Sequence, residues 1–169
     1  MLKKLLLAVL VAAPLCMNAQ AKFGVVNTQE IFNVMPEKAT AENTLKTASD
    51  RYETEFKNLQ AAFQKKLEAF ETESKDPKTP DAIKERHQQE LQDEYQKIQN
   101  FQQTAAQDLQ KQQDQLLAPI SAKLQEAIKA VGAEGGYTFI YDLSIPSIIY
   151  HGTGAEDISA KVKAKLGIK

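Results

Sequence analysis

Few residues of this chain have the types and spacing that chemistry requires. Of its two histidines, His87 lies in charged, helix-forming sequence and His151 lies in a Gly-rich turn, and neither has a partner at metal-ligand spacing. The acidic pair Asp93-Glu94 lacks the shielding that separates the pKa values of two catalytic carboxyl groups. A G-x-x-x-x-G-K-[S/T] phosphate-binding loop is absent from the sequence. We therefore expect a protein that is not an enzyme and that uses no cofactor and no metal.

The single cysteine, Cys16, lies in a segment that is typical of a secretory signal peptide. Two lysines precede the apolar run of residues 5–15, and residues 19–21 (AQA) form a small-x-small cleavage pattern. We expect residues 1–21 to be removed, which leaves a mature, exported chain without cysteine. An uncleaved anchor and a lipoprotein are the alternatives to this interpretation.

The charge balance is slightly acidic. The 169 residues carry a net charge of −1, and residues 37–118 alone hold 12 basic and 16 acidic residues, a net charge of −4. This balance argues against a nucleic-acid partner and predicts at most a weak contact with anionic membrane surfaces. Four basic residues near the prolines at 77 and 80 are the candidate surface for such a contact: Lys75, Lys78, Lys84 and Arg86. The favoured alternative is an ordinary solvated tip.

The elements that must position these residues are dominated by helix. No glycine lies between Gly24 and Gly132, and the sequence there is rich in Ala, Gln, Glu, Lys and Leu. Two prolines within residues 76–80 predict a turn, and apolar residues recur every three or four positions on both sides of it. The sequence therefore predicts an antiparallel helical hairpin, the arm, over residues 37–118. Its predicted seam, where the helices face each other, contains Tyr52, Phe56, Leu59, Phe63, Phe70, Leu91, Tyr95, Ile98, Phe101 and Leu109.

Residues 22–36 and 119–169 predict a small α+β body. A strand at 22–27 leads into an N-x-x-E helix start, strands are predicted at 137–141 and 147–150, and a last helix opens at Glu156-Asp157. These elements are too few to close a core alone, so we expect a small β-barrel-like body that is completed by oligomerisation. The predicted body core consists of Val25, Ile31, Phe32, Ile128, Val131, Phe139 and Ile140.

The order of these parts resembles the Skp (OmpH) family of periplasmic chaperones. The residues that carry the resemblance are 24–27 (GVVN) with Ile31-Phe32, and 128–142 (IKAVGAEGGYTFIYD). The resemblance implies a periplasmic homotrimer whose helical tentacles enclose a cavity and hold unfolded outer-membrane proteins without ATP. It also implies a contact with lipopolysaccharide, which the acidic arm would make weak at most. Exposed arm residues such as Ala62 and Ala69 would then face the client. The alternative is a periplasmic coiled-coil spacer or assembly adaptor with one defined partner.

Overall fold

The computed structural model describes residues 21–168, most of which are helical. The expected signal peptide lies outside this range except for residue 21. The described chain divides into two compact units: the residues up to Ile31 together with those from Leu124 onwards, and Phe32–Lys123. Long helices and a small sheet agree with the predicted α+β class. The elements in chain order are β1 (Phe23–Val26), α1 (Thr28–Val34), α2 (Pro36–Lys75), α3 (Asp81–Gly135), β2 (Phe139–Asp142), β3 (Ala155–Asp157) and α4 (Ser159–Lys165).

The unit Phe32–Lys123 is an antiparallel helical hairpin. Helix α2 has 40 residues and is therefore about 60 Å long, at 1.5 Å per residue. The turn that follows is closed by Asp76, whose Oδ1 accepts a hydrogen bond from the Lys78 N–H at 2.8 Å and whose carbonyl accepts one from the Thr79 N–H at 3.2 Å. The carbonyl of Pro80 then accepts the N–H of Ile83, so that α3 begins at Asp81.

The two prolines outside the turn act differently. Pro36 is the first residue of α2, where its missing N–H costs nothing, and it separates α2 from α1 as the sequence predicts. Pro119 lies inside α3, and the helix continues through it to Gly135. A single proline removes one backbone hydrogen bond from a helix of 55 residues, and the other bonds hold the helix together.

The sheet of the other unit is parallel, with β1 between β2 and β3. The strand expected at 147–150 is wrong, since the third strand is Ala155–Asp157 and Ile149 is 95% exposed. Pairing at 155–157 brings in Ile158, whose N–H donates to the Val25 carbonyl at 2.9 Å and whose side chain is fully buried. Because 156–157 belong to this strand, the last helix begins at Ser159 instead of at Glu156.

Most of the expected body-core residues are at least partly buried, but Phe139 is not. Successive residues of a strand point to opposite faces, and in β2 the inner face takes Ile140. A Cβ atom at Gly132 would lie 2.9 Å from the Ile140 side chain, which shows how closely α3 approaches this strand. Phe139 therefore points outwards and is 57% exposed. Of the other six residues, Val25, Ile31 and Val131 are buried, and Phe32, Ile128 and Ile140 are half-buried.

The start of α1 is fixed by side-chain hydrogen bonds. Asn27 and Glu30 form the expected capping box, since the Asn27 amide donates to the Glu30 carboxylate at 2.8 Å and the Glu30 N–H donates to Asn27 Oδ1 at 3.1 Å. Thr28 donates its hydroxyl to Asp142 at 2.5 Å and its N–H to the same carboxylate at 3.1 Å. Burial raises the pKa of Asp142, but the hydrogen bonds from Thr28 and Ser144 outweigh it and hold the pKa below its usual value.

Candidate functional site

Four polar side-chain contacts join the two helices of the arm, and we call them the cross-helix ladder. In each contact the two residue numbers add to 160, so α2 and α3 keep a single register along the hairpin. Three of the contacts are hydrogen bonds or ion pairs of 2.5–2.8 Å. The ladder consists of Glu37 with Lys123, Tyr52 with Asp108, Lys66 with Glu94, and Glu73 with His87.

The seam of α3 follows a seven-residue repeat. From His87 to Asp108, the residues that are not fully exposed recur at alternating spacings of four and three, which is the heptad pattern of a coiled coil. Leu91, Ile98 and Ala105 are the most buried of them, at 7–8% exposure. The other positions of the repeat hold His87, Glu94, Phe101 and Asp108, three of which are ladder residues.

This repeat places Glu94, and not Tyr95, in the seam. Tyr95 was expected to be packed there, but it is 55% exposed, and its ring meets Phe63 at a centroid distance of 6.2 Å. The Tyr52 ring packs edge-on against Phe101 at 6.0 Å, and its hydroxyl donates to Asp108. The other expected seam residues that are neither buried nor fully exposed are Phe56, Leu59, Phe63, Phe70 and Leu109.

The apolar pattern of the sequence does not reveal the ladder. A pattern of apolar residues alone passes over Glu94 and Asp108, because both are acidic. The sequence does contain a pattern that indicates the ladder. Tyr52, Lys66 and Glu73 are separated by multiples of seven residues on α2. Their partners Asp108, Glu94 and His87 are separated by the same numbers of residues on α3. A polar residue at a seam position fixes the register of a coiled coil, since any shifted pairing would leave it without a partner.

Hydrogen bonding across the ladder shifts the pKa values of its members. The hydrogen bonds that Tyr52 and Gln112 donate to Asp108 hold the pKa of Asp108 below its usual value. The hydrogen bond between Tyr52 and Asp108 also raises the pKa of Tyr52. The hydrogen bond from Lys66 likewise lowers the pKa of Glu94. Both carboxylates are therefore ionised at neutral pH, and both contacts are charge-assisted.

The four expected basic residues lie at the end of the hairpin that contains the turn. Lys75 is the last residue of α2, and Lys78 lies within the turn. Lys84 and Arg86 lie in the first turns of α3, and the guanidinium of Arg86 is 3.5 Å from the carboxylate of Glu90. Part of this positive charge is therefore neutralised within the arm.

The two alanines that were expected to face a client are exposed. Ala62 lies near the middle of α2 and Ala69 lies closer to the turn. Ala69 also lines a groove of about 230 Å³ between the helices, together with Phe70 and Leu91. Outside the seam, the arm thus presents small side chains among polar ones.

The unit that contains the sheet presents an apolar surface, which we call the aromatic face. The rings of Phe23, Phe139 and Tyr141 stack on one another at centroid distances of 6.2–6.4 Å. Phe139 and Tyr141 are 57% and 41% exposed. Beside them a groove of about 400 Å³ is lined by Phe23, Tyr141, Ile148 and Tyr150, among other residues.

The histidines and acidic residues form no metal-binding cluster in the described part of the chain. Among residues 21–168, no group of three or more His, Cys, Asp or Glu side chains could hold a metal ion. His87 is engaged by Glu73 in the ladder, and His151 is exposed.

The family described as outer membrane protein (OmpH-like) matches residues 22–166. The chain belongs to the OmpH-like family. This match confirms the resemblance seen in the sequence, and it begins one residue after the expected cleavage position. It covers both compact units, so the family assignment applies to the sheet and the hairpin alike.

Two curated relatives of this OmpH-like chain are named "Chaperone protein Skp". The one from Yersinia enterocolitica is 24% identical over 142 residues, which are 84% of either chain. The one from Pectobacterium atrosepticum is 23% identical over 156 residues, which are 92% of either chain. Between residues 21 and 168, no helix is both long and apolar enough to cross a membrane.

Proposed function

We propose that this OmpH-like protein is a periplasmic holdase chaperone that works without ATP. It binds unfolded outer-membrane proteins between its helical arms and prevents their aggregation before membrane insertion. The observation that carries this proposal is the family match over residues 22–166, together with relatives of nearly equal length that are named chaperones. The signal-like segment at residues 1–21 supports a periplasmic location.

The arm supports the proposal because it is a two-helix hairpin with one seam. Each helix uses a single stripe of residues for its partner, and most other positions of 37–118 are exposed. A client chain can therefore contact the arm without displacing its packing. Many weak contacts on several arms hold such a chain through their high effective concentration. Binding of the unfolded state then lowers the concentration of free, aggregation-prone chains.

The sheet supports the trimer that this function requires. β1 is paired on both sides, whereas β2 and β3 each leave one edge unpaired in the described chain. The aromatic face beside these edges exposes two rings to water in the isolated chain. An open edge can pair with a strand of another chain, and exposed apolar surface of this kind marks an interaction site. Three copies around one axis would bring three sheets into a barrel.

Light scattering tests the proposed function. A urea-denatured outer-membrane β-barrel protein is diluted into buffer with the mature protein or with an equal mass of an unrelated folded protein, in the absence of ATP. We expect scattering to be suppressed only by the mature protein. Unchanged scattering, combined with stable capture of one folded partner, would instead favour a spacer or assembly adaptor.

A further inference from the structure

The middle of the arm lacks charge on both helices. The longest uncharged stretch of α2 is residues 58–64, between Lys57 and Lys65, and that of α3 is residues 98–107, between Lys97 and Asp108. The ladder register places 58–62 directly opposite 98–102. We call these two stretches together the neutral belt.

The belt has few residues in the seam and many in water. Leu59, Phe63, Ile98, Phe101 and Ala105 are at least partly buried, and every other belt residue is exposed. The exposed residues are amides, alanines and one threonine: Asn58, Gln60, Ala61, Ala62, Gln64, Gln99, Asn100, Gln102, Gln103, Thr104, Ala106 and Gln107. Within residues 21–168, the side chains of Gln99 and Gln103 make no hydrogen bond, so their amides remain available.

The belt is the part of the arm that is easiest to cover with an apolar chain. Covering an ionised side chain requires the removal of its hydration, which costs far more than the removal of water from an amide that finds a new hydrogen bond. A glutamine amide offers two donors and an acceptor, and it can therefore bond to either the N–H or the C=O of an extended backbone. The small side chains of Ala61, Ala62 and Ala106 allow such a backbone to approach closely.

From this geometry we propose that the neutral belt is the arm surface on which an extended, uncharged polypeptide segment lies. The occupant is a strand-like stretch of alternating apolar and small polar residues whose backbone groups are not yet paired. This inference rests on the proposed function and adds to it the place on the arm and the class of segment. It also assigns a role to Ala62 that Ala69, which lies outside the belt, does not share.

Charge placed on the belt tests the inference. Two double variants are made. One carries Gln99→Glu and Gln103→Glu together, and the other carries Gln99→Lys and Gln103→Lys together. The matched control is Gln88→Glu with Gln92→Glu, which adds the same charge at the same four-residue spacing on exposed positions of the same helix, outside the belt. Circular dichroism at 222 nm verifies that all variants retain their helix content.

The readout is the Kd for a fluorescently labelled, urea-diluted outer-membrane β-barrel protein, measured by anisotropy. Both belt variants are expected to bind roughly fivefold to tenfold more weakly than the unchanged protein, since either sign of charge must be desolvated, while the control binds as the unchanged protein does. Opposite effects of Glu and Lys, or equal effects of the belt and control variants, would overturn the inference. Failure of the unchanged protein to bind would contradict the proposed function itself, so the two failures are distinguishable.

Discussion

At the scale of single residues, the polar members of the seam determine how the arm pairs. Tyr52 shows this most clearly, because its ring packs against Phe101 and its hydroxyl donates to Asp108 at 2.6 Å. The apolar seam residues provide burial that tolerates small shifts along the helix, whereas a hydrogen bond of this length does not. The residue therefore contributes both to stability and to the choice of register.

Tyr52→Phe separates these two contributions. The ring stays in place and the hydrogen bond to Asp108 is lost, so we expect a lower thermal midpoint with unchanged helix content. Tyr95→Phe is the control, since Tyr95 lies on the same arm, is 55% exposed and makes no hydrogen bond through its hydroxyl within residues 21–168. Equal midpoints for the two variants in thermal circular dichroism would show that the ladder does not stabilise the hairpin.

Ile98→Ala tests the packing of the seam itself. Ile98 is 7% exposed, and its truncation leaves a void between the helices. We expect a loss of about 2 kcal/mol in the free energy of unfolding, measured by urea titration. Gln99→Ala, at the adjacent exposed position, should leave this free energy almost unchanged. A small effect at Ile98 would mean that the two helices are not packed through this residue.

At the scale of elements, the sequence predicts the two helices and the turn of the hairpin well. It predicts less well which face of each helix packs against the other. Prolines at 77 and 80 and a long stretch without glycine are strong local signals, and they locate the turn and both helices. Contacts across the hairpin decide which face of α3 lies in the seam against α2. An apolar count favours Tyr95, but the pairing of Glu94 with Lys66 selects the neighbouring position.

The same limit explains the errors in the sheet. Residues 147–150 (SIIY) have strong strand propensity, but 155–157 (AED) pair with β1 because this pairing buries Ile158. Phe139 was expected in the core because it is large and apolar. The face of the sheet to which Phe139 points depends on the alignment of β2 with β1. The alternation of side chains along the strand does not by itself show which face of the sheet is covered.

Stability of the arm should depend on pH through the ladder carboxylates. The folded pKa values of Glu94 and Asp108 lie below their ordinary values of 4.5 and 3.8. Their contribution is therefore fully present above those ordinary values and is lost as the pH falls through the folded pKa values. We expect the urea midpoint, monitored by circular dichroism, to decline as the pH falls below about 5.

The combined variant Glu94→Gln with Asp108→Asn tests the origin of this decline. It should lower the midpoint at pH 7 and flatten the profile below pH 5, because two titrating groups have been removed. Glu68→Gln with Asp93→Asn serves as the control, since these carboxylates are exposed and make no contact across the hairpin. A steeper profile in the ladder variant would contradict the account of these pKa shifts.

At the scale of the whole molecule, a single chain leaves apolar surface and strand edges exposed that other copies of the chain could cover. The aromatic face and the unpaired edges of β2 and β3 are properties of the sheet, and the sequence anticipates them only as a body too small to close its own core. Local patterns cannot specify which surfaces of different copies meet, since that choice depends on the shapes of complete units. The trimer accordingly remains a proposal that rests on this surface and on the family.

Tyr141→Lys tests the use of the aromatic face. A charge among stacked rings cannot be buried against another copy without a large desolvation cost, so the variant should sediment as a smaller species than the unchanged protein. Ala133→Lys is the control, because Ala133 is exposed on α3 and lies outside the strands. Equal sedimentation of both variants with the unchanged protein would exclude this face as the interface between copies.

We propose that several copies of the chain together hold one unfolded client. Sedimentation velocity tests this directly when the mature protein is mixed with a labelled, urea-diluted outer-membrane β-barrel protein. We predict that the label sediments as one soluble complex whose mass equals three copies of the chain and one client. A label that pellets as aggregate, beside a protein that sediments as a single chain, would contradict the account.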